Sequence, residues 1–312
     1  MARFCALLVT MATMAAAGED CETCDGAAML QTQGKITTDE ADATRDCAAL
    51  LENEDCDFSV EPKAQFHCEV EHASRMVYAT WIQPGAKVLE VGARYGHATC
   101  MLSKVLGLDQ KDGTAKLNSL EAGSKQTSGA QLYSSDADPK IWDVLEGNLA
   151  KKGCGAQVVR GTVGSKSFKL VNPTWMKRDK NATCYSAFTS DAKDPRPGVV
   201  VPAHPVKSLN VTFDTLAIDC EGCFKTFLKE NPDLLKTLKM IIVEVHPGAF
   251  VKKKHHKHTK EEKVVDQLVR QGWQLKHSIL DQRVLCRGPC EPHCNLNWLE
   301  NHARKYYGKE YF

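Results

Sequence analysis

No stretch of this 312-residue chain approaches the roughly 18 uninterrupted apolar residues that a membrane-crossing helix needs, so no transmembrane segment is expected. An excess of one charge is lacking too. The 40 Lys and Arg offset 39 Asp and Glu to a net charge of +1, which gives no electrostatic ground for a nucleic-acid partner. Two nucleotide signatures are also missing. No G-K-S/T closes a Walker loop, and the G-x-G-x-x-G of dinucleotide folds would want glycines where Arg94 and His97 stand, which counts against a nicotinamide oxidoreductase. What remains is a soluble composition, 43% apolar and 25% charged, long enough for one large α/β domain with ample core.

Cysteine, by contrast, is plentiful, with 14 in the chain. Arg3 precedes an apolar segment from Phe4 to Met14, followed by the small residues Ala15-Ala16-Ala17-Gly18, so residues 1–17 read as a signal peptide. Removing it takes only Cys5, and the remaining cysteines favour an oxidising compartment on the secretory route: secreted, or in the lumen of the ER or Golgi. A bipartite signal to another organelle is the alternative. Cys21 with Cys24, Cys220 with Cys223, and the trio Cys286, Cys290 and Cys294 form local clusters whose connectivity the sequence leaves open. Zinc is the rival reading of C-x-x-C, but the two such pairs lie about 200 residues apart, so disulfides are expected and no metal site. Asn181-Ala182-Thr183 and Asn210-Val211-Thr212 are glycosylation sequons that agree with this route.

The stretch from Lys87 to Gly96 organises the rest. Val88, Leu89 and Val91 surround an acid, Glu90; two glycines four apart follow, then an amphipathic run from Ala98 to Leu106, which spells strand, tight turn and helix. Gly92 at the strand end would let backbone approach a ligand more closely than a Cβ allows. Glu90 could balance a cationic ligand such as a sulfonium across the loop. This E-x-G-x-x-x-G form resembles motif I of S-adenosylmethionine-dependent methyltransferases.

Upstream, residues 18–60 are polar and cysteine-bearing without sustained period, and read as an extended segment before a domain over 61–312 that Cys47, Cys56 and Cys68 could staple. Phe66, Val70, Ala73, Val77 and Trp81 recur at helical spacing, which predicts one amphipathic helix ended by Pro84-Gly85. Downstream, residues 108–130 are polar and glycine-bearing, a surface insertion. A second strand ends at Asp136, where nucleotide folds place an acid on the ribose hydroxyls; Glu121, after Leu117 to Leu120, competes for that role, and Asp136 could instead cap the next helix. Gln157 to Gly161 gives a third strand. Residues 171–208 show little period and read as a long loop, while Val211 to Asp219 and Met240 to Val245 give further strands ending in acids. The Lys- and His-rich run from Lys252 to His258 reads as a solvated loop, and residues 286–312 as a cysteine-rich tail.

With these segments placed, the chain resembles the FkbM family of methyltransferases. Its G-x-x-V-x-D-x-G-A-N-x-G looks like Gly85 through Gly96, its E-P-x-P like Asp136 through Pro139, its A-x-G like Thr162-Val163-Gly164, its I-D-x-E-G like Ile218 through Gly222, and its E-x-H like Glu244-Val245-His246. Glu90 stands for the usual Asp, Asp136 for Glu and Arg94 for Asn. The resemblance covers about residues 82–250. It implies a Rossmann-like class I methyltransferase fold: α/β, with a mostly parallel, doubly wound, seven-stranded sheet. It also implies S-adenosylmethionine as cofactor, held by Glu90, Gly92, Ala93, Gly96 and Asp136, and methyl transfer to a hydroxyl of a small molecule or glycan. His246 is then the first candidate base, with Asp219 and Glu221 beside it; His246 could equally hold its own turn, and the acids could orient the acceptor. A secreted, non-catalytic binding protein that kept the fold is the alternative.

Overall fold

Val88–Val91 forms β1, buried along its length as an apolar, β-branched run demands of a central parallel strand. The structure, a computed structural model, describes residues 47–52, 71–109, 118–120, 131–171, 188–191, 193, 195, 197–220, 222–245 and 260–307, all within the unit 43–312. Before β1 come α1 (Cys47–Glu52) and α2 (His72–Trp81); after it come α3 (His97–Leu106), β2 (Asn118–Leu120), β3 (Leu132–Asp136), α4 (Trp142–Lys152) and β4 (Gln157–Arg160). Short strands β5 (Thr162–Val163), β6 (Phe168–Val171), β7 (Phe188–Asp191), β8 (Gly198–Val201) and β9 (Ala203–His204) follow. The chain then forms β10 (Thr215–Ile218), α5 (Phe224–Glu230), α6 (Leu234–Thr237), β11 (Met240–Glu244), α7 (Lys260–Arg270), β12 (Gln274–Ile279), β13 (Gln282–Cys286) and α8 (Leu296–Tyr307).

The main sheet runs β12-β13-β11-β10-β1-β3-β4-β2, parallel except for β13, which is antiparallel to both its neighbours. This is the Rossmann-like, doubly wound arrangement expected, its seven strands joined by a short eighth at one edge. The additional edge strand is β2, from within the 108–130 insertion, paired in parallel with β4. Side chains alternate along each strand, so Val88, Ala217 and Ile242 pack with α2, α3 and α8 while Leu89, Leu216 and Ile241 pack with α5, α6 and α7. Among the described residues no helix is long and apolar enough to cross a membrane.

Two expectations need correcting. All ten residues of α2 are buried, so the polar side of the predicted helix meets protein rather than solvent; α1, α3, α8 and β13 pack around it, and residues 62–70 of that helix lie outside the described residues. Its polar groups are absorbed locally: the Thr80 hydroxyl donates to the Met76 carbonyl at 2.8 Å, and His72 Nε2 lies 3.2 Å from His302 Nε2 on α8. The 171–208 span is not a loop throughout. β6 pairs antiparallel with both β7 and β8, and β9 pairs with β5; no strand-turn-helix pattern marks β6, β7 or β8 in the sequence.

Among the described residues, four disulfides join Cys47 to Cys294, Cys100 to Cys154, Cys220 to Cys223 and Cys286 to Cys290. The trio near the C-terminus is therefore divided, and Cys100–Cys154, between α3 and the end of α4, was not foreseen. Cys21, Cys24, Cys56 and Cys68 lie outside the described residues.

Candidate active site

From β1 the chain winds outward to β3 and β4 on one side, then returns to β10 on the other, so the winding reverses between β1 and β10. Open α/β sheets bind ligands outside the carboxyl ends of strands at such a point. A cleft of about 650 Å³, its open mouth included, lies there. Its polar wall is Gly92, Arg94, Ser135, Asp136 and Asp219; its apolar wall is Val91, Val163, Phe168, Leu170 and Phe227. Phe168 and Leu170 come from β6, just before the span read as a loop, and are held there by β7 and β8 from within that span, a contribution that no local motif announces.

Gly92 turns the chain out of β1 at φ +97°, a conformation L side chains avoid. Here the demand comes from the neighbouring strand: a Cβ would sit 1.6 Å from the Asp219 carbonyl oxygen. The amides of Gly92 and Ala93 donate to the Ser135 carbonyl at 2.9 and 3.0 Å, tying the turn to β3. Gly96 serves packing, because a Cβ there would meet Leu145 and Leu149 of α4 at 3.0 Å each. Gly92 faces the cleft, whereas Ala93 is buried against α3 and α4.

Asp136 receives two backbone amides, Arg94 N–H on Oδ2 and Asp138 N–H on Oδ1, both at 2.8 Å. Each carboxylate oxygen has about two acceptor positions, so one on each remains for a diol in the cleft. Burial raises its pKa, with the Arg94 charge opposing. The competing Glu121 lies outside the described residues, and the strand before it, β2, pairs with β4 rather than with β1. β3, which carries Asp136, pairs with β1 directly.

Glu90 is 2% exposed and sits behind the cleft wall. Its Oε2 accepts the Thr99 hydroxyl at 2.6 Å, and burial pushes its carboxyl up to about 7, with hydrogen bonds from Ser134 and Thr99 opposing. Around it stands a group of buried acids. Glu71, just before α2, is pushed up to about 8, first by burial and then by the Asp219 charge; its Oε2 lies 3.5 Å from His97 Nδ1. Glu244, at the end of β11, is raised strongly by burial and then by Asp219, and hydrogen-bonds both Asp219 and Asp281. Sequence reasoning missed Glu71 and His97, although His97 directly follows Gly96 and Glu71 directly precedes α2. His246 and Glu221 lie outside the described residues, and among those described no three His, Cys, Asp or Glu side chains gather as a metal site.

These shifts fix a pH dependence. Folded Glu71 and Glu90 hold protons that the unfolded chain gives up near 4.5, so the stability they contribute is complete below about 4.5 and is lost as pH rises through about 7 and 8. His72 acts from the other side. Burial and the Arg75 charge lower it to about 3, so stability falls as pH drops below 6.5 toward that value. Between about pH 4.5 and 6.5 the two glutamates together lose more than His72 gains, so we expect the urea midpoint to peak near about pH 4.5 and to decline toward pH 9, with Glu71→Gln flattening the alkaline limb. A midpoint that rises steadily from pH 5 to 9 would contradict the protonated state of both glutamates.

Neither a protein-family model nor a curated protein matches the chain. Solved structures resemble it weakly in chain course. They include the O-methyltransferase TomG from Streptomyces achromogenes, solved in complex with SAM (13% identity, 74% of this chain and 83% of that one, TM-score 0.34). An O-methyltransferase from Bacillus cereus in complex with SAH gives 12% identity over 79% and 91% of the two chains, at a TM-score of 0.33. Precorrin-6y C5,15-methyltransferase from Geobacter metallireducens gives 12% over 74% and 93%, at 0.36. At these TM-scores the likenesses carry no argument of their own, and the chemistry rests on the cleft.

Proposed function

We propose that the cleft binds S-adenosylmethionine and that the protein passes its methyl group to a hydroxyl oxygen of a small molecule or glycan, as the FkbM resemblance implies. The observation that carries this is the pairing of Gly92 and Asp136 across adjacent strand ends at the reversal of winding. The residues present fit that cofactor. Asp136 keeps acceptor capacity for ribose hydroxyls, Val163, Phe168 and Phe227 offer an apolar wall to a flat heteroaromatic ring, and Asp219 supplies negative charge for a sulfonium or ammonium. The cofactor, when bound, supplies an electrophilic methyl.

The chain's own residues would do the rest. Transfer is an in-line displacement, so the wall must hold the acceptor oxygen and the site must take one proton. In this reading Asp219, half-buried on the cleft wall, takes that proton, and Glu244 holds Asp219 by their shared hydrogen bond. His246, two residues beyond β11, is the alternative base. Passage through the secretory route belongs to the same reading; exposed Asn210 and Thr212 of one sequon support it.

Isothermal titration with S-adenosylmethionine and S-adenosylhomocysteine, with NAD⁺ as comparison, tests the proposal. Binding in the micromolar range by the first two alone is the expected result. Folded protein that takes up neither would leave the non-catalytic binding protein as the better reading. Binding of NAD⁺ in their place would move it to the oxidoreductases.

A further inference from the structure

Cys220 and Cys223 put a disulfide into the wall of the cleft. Chain entropy gives this bond little to do. It joins residues three apart, whereas Cys100–Cys154 and Cys47–Cys294 span 54 and 247 residues, and the stabilisation from closing a loop grows with its length. Access sets it apart as well. Both its cysteines are half-buried at the cleft, while Cys47, Cys294, Cys100 and Cys154 are all 7% exposed or less. Cys286–Cys290 is also a short link, but Cys286 is fully buried.

Its position ties it to the groups that shape the cleft. Cys220 follows Asp219, whose N–H donates to the Val91 carbonyl at 2.9 Å and whose own carbonyl lies against Gly92. On the other side, the Cys223 carbonyl accepts the Phe227 N–H at 2.9 Å, and Phe227 forms part of the apolar wall. The bond therefore clamps the turn between the β1 contact and the wall of α5.

We infer that Cys220–Cys223 is a redox-active disulfide that exchanges with dithiol reductants, and that its opening loosens the Asp219–Gly92 contact and weakens cofactor binding; the second half rests on the function proposed above. In the exchange, a reductant thiolate attacks one of the two sulfurs, the S–S bond breaks, and a mixed disulfide and one cysteine thiolate result. The reductant's second thiolate then displaces the other cysteine. Two electrons pass, the dithiol ends as a disulfide, and Cys220 and Cys223 end as thiols carrying the two protons.

The test titrates the oxidised full-length protein with dithiothreitol, traps free thiols with an alkylating agent, and reads peptides by mass spectrometry. Amide exchange at Gly92 to Arg94 and at Asp219 is followed in parallel, with S-adenosylmethionine affinity. Cys220 and Cys223 should label together before the other described cysteines, with exchange there rising roughly tenfold and affinity falling roughly fivefold. The double variant Cys220→Ser, Cys223→Ser should match the reduced protein and ignore the reductant. Labelling of Cys286 and Cys290 first, or unchanged exchange in protein trapped at both Cys220 and Cys223, would overturn the inference. If exchange changes as expected but neither form binds the cofactor, the disulfide assignment stands and the cofactor reading falls.

Discussion

Gly92→Ala should leave little folded protein. The residue sits at φ +97°, where an alanine is strained by about 1–3 kcal/mol before any contact is considered. Its methyl would then lie 1.6 Å from the Asp219 carbonyl oxygen and 2.7 Å from the carbon. Those atoms are backbone, held by the Asp219 N–H to Val91 bond at 2.9 Å, so no side chain can swing away. Either β10 moves off β1 at the centre of the sheet or the turn abandons its bonds to Ser135. We expect a loss of about 4 kcal/mol or more, read as a collapsed urea midpoint, which is a large share of the ~5–15 kcal/mol by which domains are stable. Gly85→Ala is the comparison. Its φ is +77° but nothing lies within 4 Å of the added Cβ, so only the conformational strain remains, about 1–2 kcal/mol. Equal midpoints for the two variants would mean that the close approach of β1 and β10 is wrong.

Asp136→Ala should fail twice. Removing the carboxylate strands the amides of Arg94 and Asp138, both bonded at 2.8 Å, at a site only 5% exposed. Leaving buried donors without acceptors costs about 1–3 kcal/mol each, partly recovered by relaxation and water, so a loss of about 3 kcal/mol is expected. Affinity for S-adenosylmethionine should fall by roughly a hundredfold, since the diol acceptor and the loop that aims it go together. Asp136→Asn is not conservative here. Its single carbonyl oxygen can satisfy one amide, and its NH₂ then confronts the other donor, so we expect behaviour close to alanine. Measuring stability and affinity separately decides the role. A destabilised protein with unchanged affinity would make Asp136 a cap for the turn and nothing more.

Much of this frame was legible because it is local. The run from Val88 through Gly96, the acids closing β3, β10 and β11, and the apolar continuity of Met240 to Val243 each follow from spacing within one segment. What escaped depended on partners far along the chain. The full burial of α2 escaped because nothing near it in sequence shows that α8, more than 200 residues on, covers another of its sides. The same burial turns Glu71 from a surface acid into one that holds its proton to about pH 8. Gly92 was read as room for a ligand, yet the group it makes room for first is the Asp219 carbonyl, supplied by a strand about 125 residues later. The small sheet of β6, β7 and β8 and the added edge strand β2 were missed because no strand-turn-helix pattern follows them, the cue that marked the equally short β1 and β10.

The Cys47–Cys294 link closes the chain into a loop. Its ends stand 247 residues apart and enclose the whole of the main sheet, and Cys100–Cys154, Cys220–Cys223 and Cys286–Cys290 all lie inside the loop. A protease that cuts once anywhere between them therefore releases nothing. The nicked molecule keeps its mass and separates into two pieces only after reduction, so a surface loop of this protein can be severed without the halves of its sheet drifting apart.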